Sequence, residues 1–187
     1  SIRSRMANGK IKESVYGPNE DLGLRKVNVT FIKNISTEEE WNKINEEDEN
    51  GVSGLIQNYR LTKDLDFSEA DVAPYITGTF EGNIDGQYNG TIHTIKNVNG
   101  KFSLIKALRQ GTIKNLNIEN FTINTDSQYA GFIEKSDIEE NIEINNIHIK
   151  NMEIISTYGG GSPTYGSIAG YISSGSANEA TNIKVQN

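Results

Sequence analysis

The side chains best suited to acid–base chemistry are three aspartates in the middle of the chain, Asp64, Asp66 and Asp85. Asp64 and Asp66 are two positions apart, a spacing that places both side chains on the same face of a β-strand. Two carboxylates at a fixed separation can cleave a glycosidic bond when one of them has a raised pKa. A carbohydrate-active enzyme is therefore one hypothesis. The simpler interpretation is that both aspartates lie on the outer face of a strand whose apolar residues point into the core.

The two histidines do not follow the pattern of a zinc protease. That pattern is His-Glu-x-x-His on a helix, in which the histidines bind zinc and the glutamate acts as the base. His93 is followed by Thr94 and His148 by Ile149. Each histidine alternates with apolar neighbours, so we expect both side chains to face solvent. Since the chain also has no cysteine, we expect no catalytic residue, no metal ligand and no cofactor within it.

The candidate binding site is a glycine-rich segment, residues 157–166, flanked by two tyrosines. Loops on one flank of a repeat protein often carry its binding function, and tyrosine rings can stack on a sugar or pack against a protein. The residues predicted to bind are Tyr158, Gly159, Gly160, Gly161 and Tyr165. The alternative is a surface loop that only lengthens one repeat.

Charge and hydropathy exclude two classes of partner. The 187 residues contain 18 Lys and Arg against 25 Asp and Glu, a net charge of −7. An acidic chain without a basic patch is not expected to bind nucleic acid. No apolar run approaches the roughly 18 residues of a membrane span, so we expect no membrane insertion. The start, without methionine or a signal-peptide pattern, suggests a piece cut from a longer protein.

Short strands and an internal repeat must position these residues. Residues 115–123 match residues 146–154 at an offset of 31, apolar to apolar and Asn to Asn. Residues 95–98 match 113–116 at an offset of 18, and residues 182–185 continue the series 36 positions after Asn146. The chain contains 25 isoleucines and 23 asparagines. Isoleucine packs well on pleated surfaces, and asparagine tolerates the left-handed backbone of corners, where stacked side chains could bond one another.

These features predict an all-β fold, a right-handed parallel β-helix with a short N-terminal capping helix. A β-sandwich is the competing fold. The helix should begin at Ser36, with Glu39 completing a capping box, and Trp41 and Ile44 should anchor it to the core. Residues 36–187 would form the β-helix module. Residues 1–35 would be the tail of a preceding segment or N-terminal cap strands, with a half-buried strand over 26–32.

The order of several strand motifs resembles the non-catalytic β-helical region of the streptococcal immunoglobulin A proteases and related pneumococcal zinc metalloproteases. The motifs are EEW at 39–41, NYRLTKDLDF at 58–67, GTFEGNIDG at 78–86, HTIKN at 93–97 and GTIKNL at 111–116. The resemblance covers about residues 36–187. It implies a parent zinc metalloendopeptidase whose active site and zinc lie outside this chain.

The resemblance further implies a secreted or cell-wall-attached bacterial virulence factor. This chain would be a spacer that helps to position a host glycoprotein substrate, and its other partners would be the adjacent domains of the parent protease. The second hypothesis is an adhesin-type surface solenoid that binds a host protein or glycan without an attached protease. The β-helix carbohydrate enzyme is the third.

Overall fold

The computed structural model describes residues 2–7, 10–16, 30–138, 142–174 and 183–186. Within them the chain is almost entirely β, which confirms the all-β prediction. The strands are β1 (Ile2–Ala7), β2 (Lys10–Tyr16), β3 (Ile32–Ile35), β4 (Asn58–Leu61), β5 (Leu65–Asp66), β6 (Ile76–Phe80), β7 (Asn83–Asp85), β8 (Gln87–Tyr88), β9 (Thr91–Ile92), β10 (Thr94–Gly100), β11 (Ile105–Leu108), β12 (Gly111–Thr125), β13 (Tyr129–Ala130), β14 (Ile133–Ile138), β15 (Ile142–Ser156), β16 (Thr164–Tyr165), β17 (Ala169–Ser174) and β18 (Ile183–Gln186). The helix α1 spans Glu38–Asn42, and 3-10 turns cover Lys43–Asn45, Gly54–Ile56 and Phe67–Glu69.

Two parallel sheets contain most of these strands. The larger has the order β18-β15-β12-β7-β4-β3, and β10 joins it by pairing with both β12 and β5. The smaller has the order β17-β14-β11-β6. All pairings within these two sheets are parallel. The chain therefore returns repeatedly to the same sheets and lays each new strand beside the one from the preceding pass.

The predicted repeat of 31 residues is confirmed by the pairing of β12 with β15, in which Leu116 lies opposite Ile147. The other two offsets are wrong. Ile95 pairs with Ile118, an offset of 23 rather than 18, and Ile183 pairs with Ile142, an offset of 41 rather than 36. The cause is the variable length of the connections between strands, which moves similar strand sequences out of alignment.

Asparagine forms the bends of the chain, as predicted. Among the described residues, seven non-glycine positions have a positive φ and six are asparagine. They are Asn89, Asn97, Asn115, Asn120, Asn146 and Asn151, with φ between 48° and 59°. Asparagine tolerates this left-handed conformation better than residues with larger side chains. The 15-residue strands β12 and β15 each contain two of these bends and therefore turn within their length.

The bend asparagines also bond one another from pass to pass, which confirms the predicted side-chain stacking. In the Asn115 ladder (Asp85, Asn115, Asn146), Nδ2 of Asn115 donates to Oδ1 of Asp85 at 3.0 Å, and Nδ2 of Asn146 donates to Oδ1 of Asn115 at 2.9 Å. The Asn120 ladder (Asp66, Asn97, Asn120, Asn151) continues in the same way at 2.9, 3.0 and 3.0 Å. Each ladder therefore ends on an aspartate on its N-terminal side.

Apolar side chains form columns in the same register between the sheets. One column contains Ile84, Ile113 and Ile144, all at most 2% exposed. Another contains Ile76, Ile105 and Ile133, all 0% exposed. Full burial of such a side chain contributes about 1.5–3 kcal/mol relative to leaving it exposed. The isoleucine excess is therefore the source of a continuous core.

The N-terminal helix is capped one residue later than predicted. The N-cap is Thr37, whose hydroxyl accepts from the Glu40 N–H at 3.2 Å, rather than Ser36. Glu40 replaces Glu39 as the reciprocal partner and accepts from the Ser36 N–H at 2.7 Å. This bond lowers the pKa of the Glu40 carboxyl. Trp41 is 0% exposed, as the anchoring prediction requires.

Side chains of α1 and of the segment after it bind backbone groups on the N-terminal side of β5 and β6. The Asn45 amide donates from Nδ2 to the Tyr75 carbonyl and accepts at Oδ1 from the Thr77 N–H, both at 2.7 Å. These backbone groups, one just before β6 and one within it, are those that a neighbouring strand would bind. Oε1 of Glu38 accepts from the Asp66 N–H of β5 at 2.8 Å. Satisfied edge groups cannot pair with another chain.

The strand predicted over 26–32 lies partly outside the described residues, which include neither Val27 nor Val29. The described strand β3 begins at Ile32 and pairs with β4. Phe31, expected to be half-buried, is 41% exposed and precedes the strand. The β1–β2 hairpin is antiparallel, and the division of the chain at residue 36 stays a prediction.

Candidate binding site

The glycine-rich loop places its two tyrosines differently. Tyr165 lies in β16, which pairs with β13, and its hydroxyl donates to the Ser127 carbonyl at 3.2 Å and contacts the Ser156 hydroxyl. Its ring packs against the core. Tyr165 therefore anchors the loop and does not present a free ring face. Of the two tyrosines predicted to contact a ligand, only Tyr158 is therefore left to do so with its ring.

In the rest of the loop the three glycines are exposed and Tyr158 is half-buried. The Tyr158 hydroxyl lies so close to Gly160 that a Cβ there would collide with it, whereas Gly159 and Gly161 face open space. The Tyr158 N–H donates to the Ser156 hydroxyl at 3.1 Å. The ring is thus folded over its own loop, and the binding role of Tyr158, Gly159, Gly160, Gly161 and Tyr165 stays a prediction.

The candidate acid–base residues have structural partners. Oδ1 of Asp64 accepts from the Thr94 N–H at 3.0 Å and lies 3.2 Å from Nδ1 of His93. Asp66 accepts from Nδ2 of Asn97, which is the main cause of the lowering of its pKa to about 2. A general acid for glycoside cleavage needs the opposite shift, a raised pKa. The geometry therefore gives Asp66 a role as an ionised ladder end.

The histidines occupy different environments, although the sequence placed both in solvent. His148 is exposed, as expected, and its Nε2 lies 2.9 Å from Oδ1 of Asn146. The His93 side chain is only 12% exposed, so the expectation of a solvent-facing side chain is wrong there. The turn before β10 buries it beside Asp64. Within the part of the chain that the structure describes, no group of three or more His, Cys, Asp or Glu side chains could hold a metal ion.

The pKa of one carboxyl group that no sequence pattern indicates, Glu134 in β14, is raised. Burial is the main cause of the shift, opposed by a hydrogen bond from the Ser127 hydroxyl at 3.2 Å. The negative charge of Glu134 in turn adds to the burial that raises the pKa of Tyr75 to about 12. The Glu134 carboxylate therefore lies close enough to Tyr75 to raise the pKa of that tyrosine. The same carboxylate contacts Ser127, in the turn that leads to Tyr129.

Four aromatic rings form two pairs in this part of the molecule, and the effect of Glu134 on the pKa of Tyr75 places its carboxylate near the first pair. Tyr75 and Phe102 stack with ring centroids 4.4 Å apart, and Tyr129 and Tyr171 are tilted at 4.9 Å. Phe102 is 48% and Tyr171 42% exposed. We define these four rings with Glu134 as the aromatic surface. Exposed ring faces beside a carboxylate are suited to a ligand with both apolar faces and hydroxyl donors, such as a sugar.

No spacing in the sequence indicates this surface. Its residues come from four separate passes of the chain and lie near the strands of the smaller sheet, so their proximity depends on register.

Within the described residues, no helix is long and apolar enough to cross a membrane.

Comparison with known proteins gives one family. The family model described as M26 IgA1-specific Metallo-endopeptidase N-terminal region matches residues 47–151, more than half of the chain. No curated protein and no solved structure matches it significantly. The matched range begins in the acidic run after α1 and ends in β15, and it includes both asparagine ladders.

Proposed function

Because the chain belongs to the M26 IgA1-specific metallo-endopeptidase family, within its N-terminal region, we propose that it is a non-catalytic module that spaces the protease and positions its substrate. The observation that carries the proposal is this family match over a rigidly connected stack of strands. A rigid module can add binding energy at a distance from the scissile bond, and that energy can be used to orient the substrate. The site of action would be extracellular.

The architecture proposed for the module is a right-handed parallel β-helix. Three observations support it: parallel pairing in both main sheets, return of the chain at offsets of 23, 31 and 41, and side-chain ladders in register with the pairing. Stacking of this kind makes each pass depend on its neighbours for burial of its apolar side chains. The resulting stiffness suits a spacer.

The zinc of such a protease is proposed to bind elsewhere in the parent protein. Neither His93 nor His148 begins a His-Glu-x-x-His motif, and the described residues do not bring metal-binding side chains together. The residues that the structure describes therefore do not fit a catalytic zinc site.

The partner proposed for the module is a host glycoprotein, and the aromatic surface is its best-placed contact. Phe102 and Tyr171 are 48% and 42% exposed, and Glu134 supplies an acceptor near Tyr75. The loop around Tyr158 is the alternative contact. These two surfaces make separable predictions, because their residues do not touch one another in the contacts that the structure shows.

The test is binding of the purified chain to immobilised mucosal glycoproteins, including immunoglobulin A1, measured by biolayer interferometry. The Phe102→Ala and Tyr171→Ala double variant should lose at least about tenfold in affinity, since each exposed aromatic contact at a hot spot contributes upwards of about 1 kcal/mol. Tyr158→Ala is the matched control, a loop tyrosine outside the aromatic surface, and should bind like the wild type. Absence of binding by the wild-type chain would refute substrate positioning, and loss through Tyr158→Ala alone would transfer the site to the loop.

A further inference from the structure

The stack formed by the Tyr75 and Phe102 rings is fixed by hydrogen bonds of the chain beside it. The two rings are nearly parallel, at 14° and with centroids 4.4 Å apart. The Tyr75 carbonyl accepts from Nδ2 of Asn45 at 2.7 Å. Directly after Phe102, the buried Ser103 hydroxyl accepts from the Gly131 N–H at 3.2 Å. The rings are therefore positioned before a ligand arrives, and such a site loses less conformational entropy on binding.

Phe102 is the more exposed ring of the stack and offers a contact of limited size. It is 48% exposed, whereas Tyr75 is half-buried. An aromatic side chain buries at most about 150–250 Å². A stable interface between two folded proteins buries about 1,200–2,000 Å² in total. The size of this contact therefore favours a small, flat ligand over the surface of a folded domain.

Glu134 supplies a hydrogen-bond acceptor close to the stack. Burial and the negative charge of Glu134 together raise the pKa of Tyr75 to about 12, which places the carboxylate near that ring. Oε1 of Glu134 accepts from the Ser127 hydroxyl at 3.2 Å, and no donor binds Oε2 among the described residues. Burial raises the pKa of the Glu134 carboxyl although Lys106 and Lys135 act in the opposite direction. A half-buried carboxylate with one unused oxygen is stabilised by a ligand that donates to it.

A ring face and a carboxylate acceptor together select the chemistry of the ligand. A pyranose sugar carries C–H groups on its ring face and hydroxyl groups around its edge. It can therefore stack on an aromatic ring while a hydroxyl donates to a carboxylate. Proline and aliphatic side chains offer the apolar face without the donors. An anionic sugar would be repelled by Glu134 in a chain whose net charge is −7.

We propose that the Tyr75–Phe102 stack and Glu134 bind an uncharged pyranose of a glycan. The C–H face of the sugar lies on the Phe102 ring, and Oε2 of Glu134 accepts from a hydroxyl of the same glycan. The inference rests on the proposed function for the carrier of the glycan, and it assigns the contact to carbohydrate in place of polypeptide. For a ligand of this size, a Kd in the millimolar range is expected.

The first test is a titration of the full chain with methyl glycosides, followed by saturation-transfer difference NMR. The uncharged probes are the methyl glycosides of galactose, glucose, mannose and N-acetylglucosamine, and the charged probe is that of N-acetylneuraminic acid. At least one uncharged probe should bind with saturation and more tightly than the charged probe. Absence of saturable binding by all four uncharged probes would overturn the proposal, and so would tighter binding of the charged one.

Substitutions separate ring stacking from general apolar contact. Phe102→Trp keeps an aromatic face and should bind within about threefold of the wild type, whereas Phe102→Leu should lose about tenfold or more. Glu134→Gln should lose about threefold to tenfold, because hydrogen bonds to an ionised acceptor are roughly twice as strong as neutral ones. Ile56→Ala is the control, an apolar side chain 47% exposed in the turn Gly54–Ile56, and should bind like the wild type. Circular dichroism melting curves check that each variant folds, and equal affinity of Phe102→Leu and the wild type would overturn the proposal.

Enzymatic deglycosylation separates this inference from the proposed function. Native and deglycosylated immunoglobulin A1 are compared as ligands of the wild-type chain by biolayer interferometry. Loss of binding after deglycosylation would support the sugar as the contact. Equal binding to both forms would overturn the sugar assignment and leave substrate positioning in place. Binding of a methyl glycoside without binding of any glycoprotein would refute substrate positioning and support the sugar site.

Discussion

Asn120 carries the most informative single substitution, because it combines two separable properties. Its φ of 54° lies in the left-handed region, and its amide bonds to Asn97 on one side and Asn151 on the other. Asn120→Gly keeps the backbone conformation and removes both side-chain bonds. Asn120→Ala removes the same bonds and also places a Cβ in a conformation that disfavours it.

The expected losses follow from these contacts. Each hydrogen bond contributes about 0.5–1.5 kcal/mol net, and partial exposure at the ladder favours the lower half of that range. Asn120→Gly should therefore lower the free energy of unfolding by about 1–2 kcal/mol. Asn120→Ala should lower it by about 1 kcal/mol more, from the left-handed backbone alone. For a chain of this length, a change of 1–2 kcal/mol lowers Tm by about 2–8 °C.

Thermal and urea unfolding, followed by circular dichroism, provide the measurement. Asn89→Gly is the matched control, because Asn89 has a φ of 48° in the β8–β9 turn but no side-chain hydrogen bond among the described residues. It carries the same entropic cost of introducing glycine. The difference between the two glycine variants therefore isolates the ladder.

Two results would refute the reasoning. If Asn120→Gly were as stable as Asn89→Gly, the ladder bonds would contribute nothing to the free energy of unfolding. If Asn120→Gly and Asn120→Ala lost the same amount, the left-handed backbone would not be the reason for asparagine at this position.

Three further substitutions test the ladder end, the contacts of Asn45 and one close approach. The pKa of Asp66 in the folded state is about 2, below its ordinary value of 3.8, so its stabilising effect is complete above pH 3.8 and is lost as the pH falls towards 2. The difference in urea midpoint between the wild type and Asp66→Asn should therefore shrink over that pH range. A constant difference would contradict the role of Asp66 as an ionised ladder end. Asn45→Ala should lower the free energy of unfolding by about 1–3 kcal/mol, because it frees the Tyr75 carbonyl just before β6 and the Thr77 N–H within it. The freed groups should also increase aggregation measured by light scattering. Asn42→Ala is the control, because the Asn42 side chain makes one long bond of 3.5 Å. Gly86→Ala should lower the free energy of unfolding, measured by chemical denaturation, by about 3 kcal/mol or more, because the added Cβ would collide with the Asn115 backbone carbonyl. Gly159→Ala is the control and should leave the free energy of unfolding unchanged, because the added Cβ faces open space.

The sequence predicted the local chemistry of the fold better than its register. The excess of asparagine predicts left-handed bends, and the alternating isoleucines predict branched side chains in buried columns. Composition and alternation are enough to reveal both. The 31-residue offset between β12 and β15 was accessible because both strands preserve the same nine-residue pattern. The offsets of 23 and 41 were not, because similar sequences such as residues 95–98 and 113–116 lie on different strands of the stack and pair with other partners.

The site was harder to predict than the fold for the same reason. Glu134 lies in a strand with ordinary alternation, and its raised pKa comes from burial against residues of other passes. Tyr165 was grouped with Tyr158 because the two flank a run of glycines, but pairing of β16 with β13 turns its hydroxyl towards Ser127. Proximity in sequence says little about a surface assembled from strands that are about thirty positions apart.

The hydrogen bonds of the asparagine ladders all point in one direction along the stack. Each begins on an aspartate, whose charge strengthens the first amide bond because hydrogen bonds to an ionised acceptor are roughly twice as strong as neutral ones. Each later amide donates towards this charged end and leaves its oxygen for the next pass. The bond to the aspartate is therefore the strongest in each ladder, and the bonds between two asparagines are weaker.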